Sequence, residues 1–282
     1  MIYISTSSIK ANKISTAIKT LVNYGFKNIE LSGGTKYYDR LEDDLLDLQK
    51  KYDLNYLIHN YFPPPKEDFV LNLASLDDEI YTKSAQHIFH AIALCQKLNT
   101  KIFGFHAGFY LDFSTKEIGK KIKKRSLFYK NKSADRFYEG VRSIQKSADS
   151  ITIYIENNVL SEKNLFTFSN MNPFMLTCYN DFIAMKENIN FNLLLDIGHL
   201  KVSANSLKLN FERELKKLID LTDYIHISDN NGFEDSNTAI KKSSKLIEEL
   251  KKYDLSEKII TIEVYDDIKK IAESYYTISE LY

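Results

Sequence analysis

The chain has 282 residues, 44% of them hydrophobic and 27% charged, with 38 basic side chains against 38 acidic ones. An apolar fraction near average and a net charge of zero exclude disorder, and no stretch approaches the roughly 18 uncharged apolar residues of a membrane span. The overall balance supplies no general basic surface for nucleic acid, although a local patch fits inside it.

Taken in chain order, short apolar runs alternate with longer segments of helical period. The strand candidates are IYIST (2–6), NIELS (28–32), NYLIHN (55–60), KIFGFH (101–106), ITIYIE (151–156), NLLLD (192–196), YIHIS (224–228) and IITIEV (259–264). Each reads as a nearly continuous apolar run, the pattern of strands buried on both faces of a parallel sheet. Between them, Asp77 to Leu98 places Ile80, Ser84, His87, Ile88, Ala91 and Leu94 near one helical face, and Phe211 to Leu221 buries Leu215, Leu218 and Ile219 among Lys and Glu. Strand and helix alternation implies βαβ units. Eight units of about 35 residues match the roughly 250 residues of a (β/α)8 barrel, so the expected fold is α/β, a single TIM-barrel domain over residues 1–282.

Two segments break the rhythm. Pro63-Pro64-Pro65 is a stiff extended loop, because each ring fixes φ and removes a donor. Lys116 to Lys132 is a dense run of Lys and Arg interrupted by one acid, Glu117; it reads as a solvated loop or helix face, or as a loop that contacts phosphate over the site. The two cysteines, Cys95 and Cys178, are too few for a disulfide framework, and MIYISTSSIK lacks the basic and apolar regions of a secretory signal. A cytoplasmic protein without a membrane partner is the expectation.

In a parallel barrel, side chains at the C-terminal strand ends converge on one face. The strand ends here carry Glu30, His59, His106, Glu156, Asp196, His226 and Glu263, with His199 and Asp229 just beyond. Any one of these has a bland reading as a loop hydrogen-bonder. The whole set does not, since four of the six histidines lie at or just past strand ends; His87 and His90 fall inside the third helix as packing or surface residues. Carboxylates clustered at a low-dielectric mouth need a cation, and a mixed Glu, Asp and His set without Cys suits an open divalent site. Gly33-Gly34 reads as a turn, since no G-x-G-x-x-G follows.

The residues that carry a resemblance are IELSGG (29–34), HNYFPPPKEDFVLNLAS (59–75), GFHAGF (104–109), IENN (155–158), LLLDIGHLKVS (193–203), HISDNNG (226–232) and IEV (262–264). They resemble the xylose-isomerase-like barrel superfamily, which includes sugar isomerases and epimerases and apurinic-site endonucleases. The resemblance implies that Glu156, Asp196, His226 and Glu263 hold one divalent ion, Mn²⁺, Zn²⁺, Mg²⁺ or Co²⁺. It implies that Glu156 and Glu263 are acid and base through a cis-enediolate, and that His199 binds substrate or a further metal. His59 and His106 match the pair that holds a further zinc in the endonucleases. In that branch an Asp-x-His pair completes a third metal site; here the stretch reads Asp235-Ser236-Asn237, and an amide is a poor zinc ligand. The Arg that often grips substrate in epimerases is missing from NNGFEDSN.

The expected function is therefore a metal-dependent isomerase or epimerase of a sugar or sugar phosphate, with an apurinic-site endonuclease as the alternative. A different lyase or hydrolase on the same scaffold, or a non-catalytic sugar binder, completes the set. Substrate contacts are expected from His199, Phe62, Glu30 and Asp229. Phe109 and Tyr110 could also stack on a sugar. A hydrogen bond to a neighbouring strand is the other reading of Glu30, and orienting His226 the favoured one for Asp229. Nucleic acid is not expected as a partner unless the alternative holds, and a homodimer stays open.

Overall fold

In the computed structural model, which describes residues 1–282, all eight runs become strands and close into a barrel. The order is β1 (Ile2–Ser5), α1 (Ile14–Asn23), β2 (Asn28–Leu31), α2 (Leu41–Tyr52), β3 (Asn55–His59), α3 (Asp78–Lys97), β4 (Ile102–His106), α4 (Lys130–Ser147) and β5 (Thr152–Glu156). It continues through α5 (Glu162–Thr167), α6 (Tyr179–Lys186), β6 (Asn192–Asp196), α7 (Ile197–Ser206), α8 (Phe211–Leu218), β7 (Tyr224–Ile227), α9 (Lys245–Leu250), β8 (Ile259–Ile262) and α10 (Ile268–Ser279). Each strand pairs in parallel with the next, and β8 returns to β1 with Ile2 opposite Ile260, which closes a (β/α)8 barrel. No helix is long and apolar enough to cross a membrane.

The apolar runs hide a period of two. One set of strand residues, among them Ile4, Ile29, Ile58, Phe103, Ile153, Leu195, Ile225 and Ile260, joins the large core shared with the helices. The alternate set splits along the barrel axis. Its lower members, Tyr3, Leu57, Tyr154, Leu194 and Tyr224, pack together as an apolar plug inside the barrel. Two residues further along four of these strands come His59, Glu156, Asp196 and His226. Side chains two apart point the same way, so the polar residues sit as a layer on top of the plug.

Caps place the helices that border this layer. Asp77 accepts from the backbone N–H groups of Glu79 and Ile80 to start α3. Asp196 ends β6 and also caps α7, accepting from the N–H of His199 at 2.7 Å. The segment between β4 and α4 folds across the mouth of the barrel. It carries its own small core, in which Ile122 packs among Phe109, Leu111, Leu160, Leu165 and Phe174. The basic run thus divides into an ordered loop and, from Lys130, the first turn of α4.

Gly108, just past β4, is where backbone and side chains meet most closely: an added Cβ would lie 2.5 Å from that of Ala74 and 3.0 Å from Sδ of Met175. Gly108→Ala is expected to destabilise the fold by about 1–3 kcal/mol, read as a lower urea midpoint at unchanged slope.

Candidate functional site

Glu156 is the centre of the polar layer and has no exposed surface. Its Oε2 lies 2.8 Å from Nε2 of His59 and 3.0 Å from Nδ1 of His106, while Oε1 lies 3.2 Å from Nδ1 of His226. Only the His59 contact is aligned as a hydrogen bond. Glu156 Oε1 and the Nδ1 atoms of His106 and His226 are buried without a hydrogen-bond partner. Register explains the convergence, because His106 stands opposite Glu156 across β4 and β5, and Asp196 opposite His226 across β6 and β7.

The other side of His226 is fixed from below. Its Nε2 lies 2.8 Å from Oε2 of Glu30, which also accepts from Thr261 Oγ1 at 3.0 Å and from the Tyr224 hydroxyl. A proton held at Nε2 by Glu30 directs Nδ1 toward Glu156 and toward Oε2 of Glu263, 3.5 Å away. Glu263 in turn is pinned through Oε1 by the hydroxyls of Ser7 at 2.8 Å and Tyr265 at 2.7 Å. His199 donates from Nδ1 to the carbonyl of Asn157 at 2.9 Å, which turns Nε2 to Asp235 at 3.2 Å and Asp196 at 3.8 Å. Asn237 is buried beside them, with its amide nitrogen 2.9 Å from Asp235 when the amide is oriented to donate.

The charges are tightly interdependent. Burial pushes the Glu156 carboxyl up, but His106, His59 and His226 outweigh it and hold it well below the usual range. Burial also raises Glu263, yet His226 and His59 bring it down to about 2. For Asp196 burial wins, and its carboxyl rises to about 7. The imidazoles move the other way: burial lowers His226 and His199, but the carboxylates around each keep both well above their ordinary value. Positive charge on His226 and His199 thus answers part of what the buried carboxylates require.

A divalent cation fits this donor set. Four groups of three residues bring ligand atoms within 4.8 Å of one another: Glu30, His59 and His226; His59, His106 and Glu156; Glu156, Asp196 and His199; Asp196, His226 and Glu263. Glu156, His106 and His226, which carry the unpartnered carboxylate oxygen and nitrogens, all belong to these groups, as residues that would bind an ion do.

Above the cluster opens a cavity of about 850 Å³, reached by His59, His106, His199 and Glu263 and walled by Phe109, Phe113 and Phe174. Three expected substrate contacts are corrected. Phe62 is fully buried in the main core, because the chain turns after β3 and sends Tyr61 to the cavity instead. Glu30 lies beneath His226 and has no exposed surface. Asp229 pairs with Lys201 at 2.8 Å rather than with His226, and the orienting role expected of it falls to Glu30. Ser7, Tyr265 and Asn157 were not among the expected site residues. Asn157 adjoins Glu156 within IENN and could have been read there. Ser7 had no local signal, being 256 positions from the carboxylate it holds.

Fold and site together define a parallel eight-stranded barrel with a buried His and carboxylate centre at its C-terminal mouth. The chain belongs to the xylose isomerase-like TIM barrel family, whose model matches residues 18–277. Among solved structures it is similar to a D-tagatose 3-epimerase-like protein at 20% identity, with a TM-score of 0.74 over 99% of this chain and 96% of that one. It is also similar to the 3-keto-D-glucoside 4-epimerase of E. coli at 12% identity, with a TM-score of 0.62 over 99% and 98% of the two chains. Endonuclease IV from Thermus thermophilus matches at 13% identity, with a TM-score of 0.61 over 99% and 98%. Comparison with curated proteins finds no match. At these identities the likeness to solved structures shows the fold.

The loop over the cavity is itself clamped. Glu117 accepts from the N–H groups of Lys123 and Ser114 and from Arg125, and its carboxyl is held down to about 2 by those backbone donors first and Arg125 after them. A depressed carboxyl stabilises above its unfolded value of about 4.3 and loses that contribution as pH falls through about 2. Glu117→Gln is expected to open the loop at neutral pH, seen as faster tryptic cleavage within Lys120–Arg125 than in the parent protein.

Proposed function

We propose that the protein is a divalent-metal-dependent isomerase or epimerase of a sugar or sugar phosphate. One observation carries this reading: two buried carboxylates, one ending β5 and one just past β8, flank a single imidazole nitrogen on β7 between them. Glu156 Oε1 and Glu263 Oε2 lie 3.2 and 3.5 Å from Nδ1 of His226, while the second oxygen of each is held elsewhere, by His59 or by Ser7 and Tyr265. The similarity to sugar epimerases supports the same reading.

Glu156, Asp196, His226 and Glu263 would hold the ion. When bound, it would supply positive charge to two vicinal substrate oxygens as the enediolate develops. The imidazoles around them hold both carboxyls below the ordinary range, which suits either one to take a proton from the substrate carbon. The same group returns that proton to the adjacent carbon in an isomerisation, whereas inversion requires the other carboxyl to enter the turnover protonated and to give its proton to the opposite face. The oxygens held by His59, Ser7 and Tyr265 set the orientation of the free ones, which both face Nδ1 of His226. Tyr265 is exposed as a residue, but its hydroxyl donates to Glu263, and that contact raises the phenol above its ordinary value and keeps its proton in place. The Phe109, Phe113 and Phe174 rings offer an apolar wall to a sugar face.

A second reading, metal-dependent cleavage of apurinic-site DNA, rests on His59 and His106. With Glu156 they form a second ligand triad that shares a carboxylate with the first, and two bridged ions suit phosphodiester hydrolysis. Asn237 weighs against it, because its amide is engaged by Asp235 where a third ligand would be needed. Cleavage of an abasic duplex in Zn²⁺ or Mn²⁺ above a metal-only blank would favour it.

Solvent-deuterium incorporation into a turned-over sugar tests the main reading. Glu156→Gln and Glu263→Gln are each expected to lower exchange by about 10²–10⁴-fold; exchange left intact overturns the assignment. Glu30→Gln is expected to weaken affinity for a divalent ion by about 10–100-fold, measured by calorimetry with the circular dichroism spectrum unchanged.

A further inference from the structure

The cavity carries a charge asymmetry that the reaction at its base does not use. Four acids line it, and each is already engaged: Glu263 by Ser7 and Tyr265, Asp235 by His199, Glu234 by Lys163, and Glu117 by Arg125. Of the three lysines that line it, Lys163 is spent on Glu234. Lys120 and Lys121 remain, exposed at the outer end, and neither side chain makes a salt bridge or hydrogen bond within the chain.

These two lysines are not on a free-swinging segment. The backbone around them is held on both sides, since Asn164 donates to the carbonyl of Lys120 at 3.1 Å and accepts from the N–H of Ile122 at 2.8 Å. Ile122 is buried in the small core of the loop, and the Glu117 clamp closes the preceding turn. A second hollow on the far side of the same loop is lined by Lys121, Lys123 and Lys124 and brings no acid with it. The loop therefore spends its acid on its own backbone and presents uncompensated cations to a cavity whose other end gathers ligand atoms.

We infer that Lys120 and Lys121 form a subsite for a phosphate ester, so that the substrate is a phosphorylated sugar with its carbonyl and hydroxyl end at the His and carboxylate cluster. The inference rests on the isomerase reading for the placement of the sugar, while anion binding itself does not depend on turnover. Lysine suits this position, because its ammonium is a compact charge on a flexible stem and binds phosphate without demanding a planar partner. The aromatic wall between the two ends accommodates the carbon skeleton that joins them.

The test is calorimetric binding of D-ribulose 5-phosphate, D-ribulose and inorganic phosphate to the full chain. It is run on the parent protein, on Glu263→Gln to prevent turnover, and on the double variant Lys120→Gln with Lys121→Gln. The expected result is about tenfold tighter binding of the phosphorylated sugar than of the free one, a gap the double variant abolishes while still binding D-ribulose. Lys→Arg at both positions should restore most of the gap, which separates charge from loop folding. Equal binding of the two sugars, or a gap unchanged in the double variant, overturns the inference. An abasic oligonucleotide that competes through these lysines with a steep salt dependence overturns it in favour of a nucleic-acid ligand. If proton exchange fails but the lysine-dependent gap persists, the isomerase reading falls and the subsite stands. Exchange that proceeds equally well on free and phosphorylated sugar has the opposite meaning.

Discussion

The architecture of the site follows from one constraint: Glu156 is a carboxylate with no access to water in the middle of the barrel. Leaving such a charge uncompensated costs several kcal/mol. Three imidazoles from three other strands approach it, and two of them have a further partner. Glu30 fixes His226, and Ser32 stands 3.4 Å from the far nitrogen of His59. The polar layer is thus a chain of mutual dependence rather than a set of independent residues. The buried carboxylate's demand for positive charge is what a divalent ion would satisfy.

Closure of the barrel is the second requirement. Glu263 sits at the end of β8, and its orientation comes from Ser7, just after β1. The backbone of the next residue, Val264, donates to Ser8 Oγ at 3.1 Å. An open sheet would leave Glu263 at an edge with one oxygen free to rotate. In the closed barrel the first and last strands meet, and the carboxylate is held to face His226. The loops are then added around a rigid base, the usual division of labour between barrel and βα-loops.

Much of the fold is legible in the chain because eight strands buried on both faces must be rich in Ile, Leu, Phe and Tyr, and because parallel pairing requires a helix between them. The strand ends are legible for a related reason: a Glu, Asp or His terminating an apolar run has no apolar partner and marks the mouth. Glu156, Asp196, His226, Glu263, His59, His106 and His199 are all legible on that ground or just beyond it, and the barrel brings them together. Glu30 is legible as a strand-end acid but not as lying beneath His226, and the surroundings of Phe62 and Asp229 are not legible, since a residue near a strand end can point up into the cavity, down into the plug or back into the helical shell. Phe62 and Tyr61 are adjacent in sequence and pack on the same core, but after the turn that follows β3 only Tyr61 also reaches the cavity.

The sequence by itself determined the class of fold, the number of units and the chemical character of the mouth, because these depend on local periodicity and on which residue types end each strand. Which carboxylate lies under which imidazole was decided only by the tertiary structure, for those pairings join residues up to 196 positions apart through strand register and closure. The same holds for Lys120 and Lys121. Their charge is plain in the sequence, but their lack of an acidic partner depends on how Glu117, Glu234, Asp235 and Glu263 are spent in space.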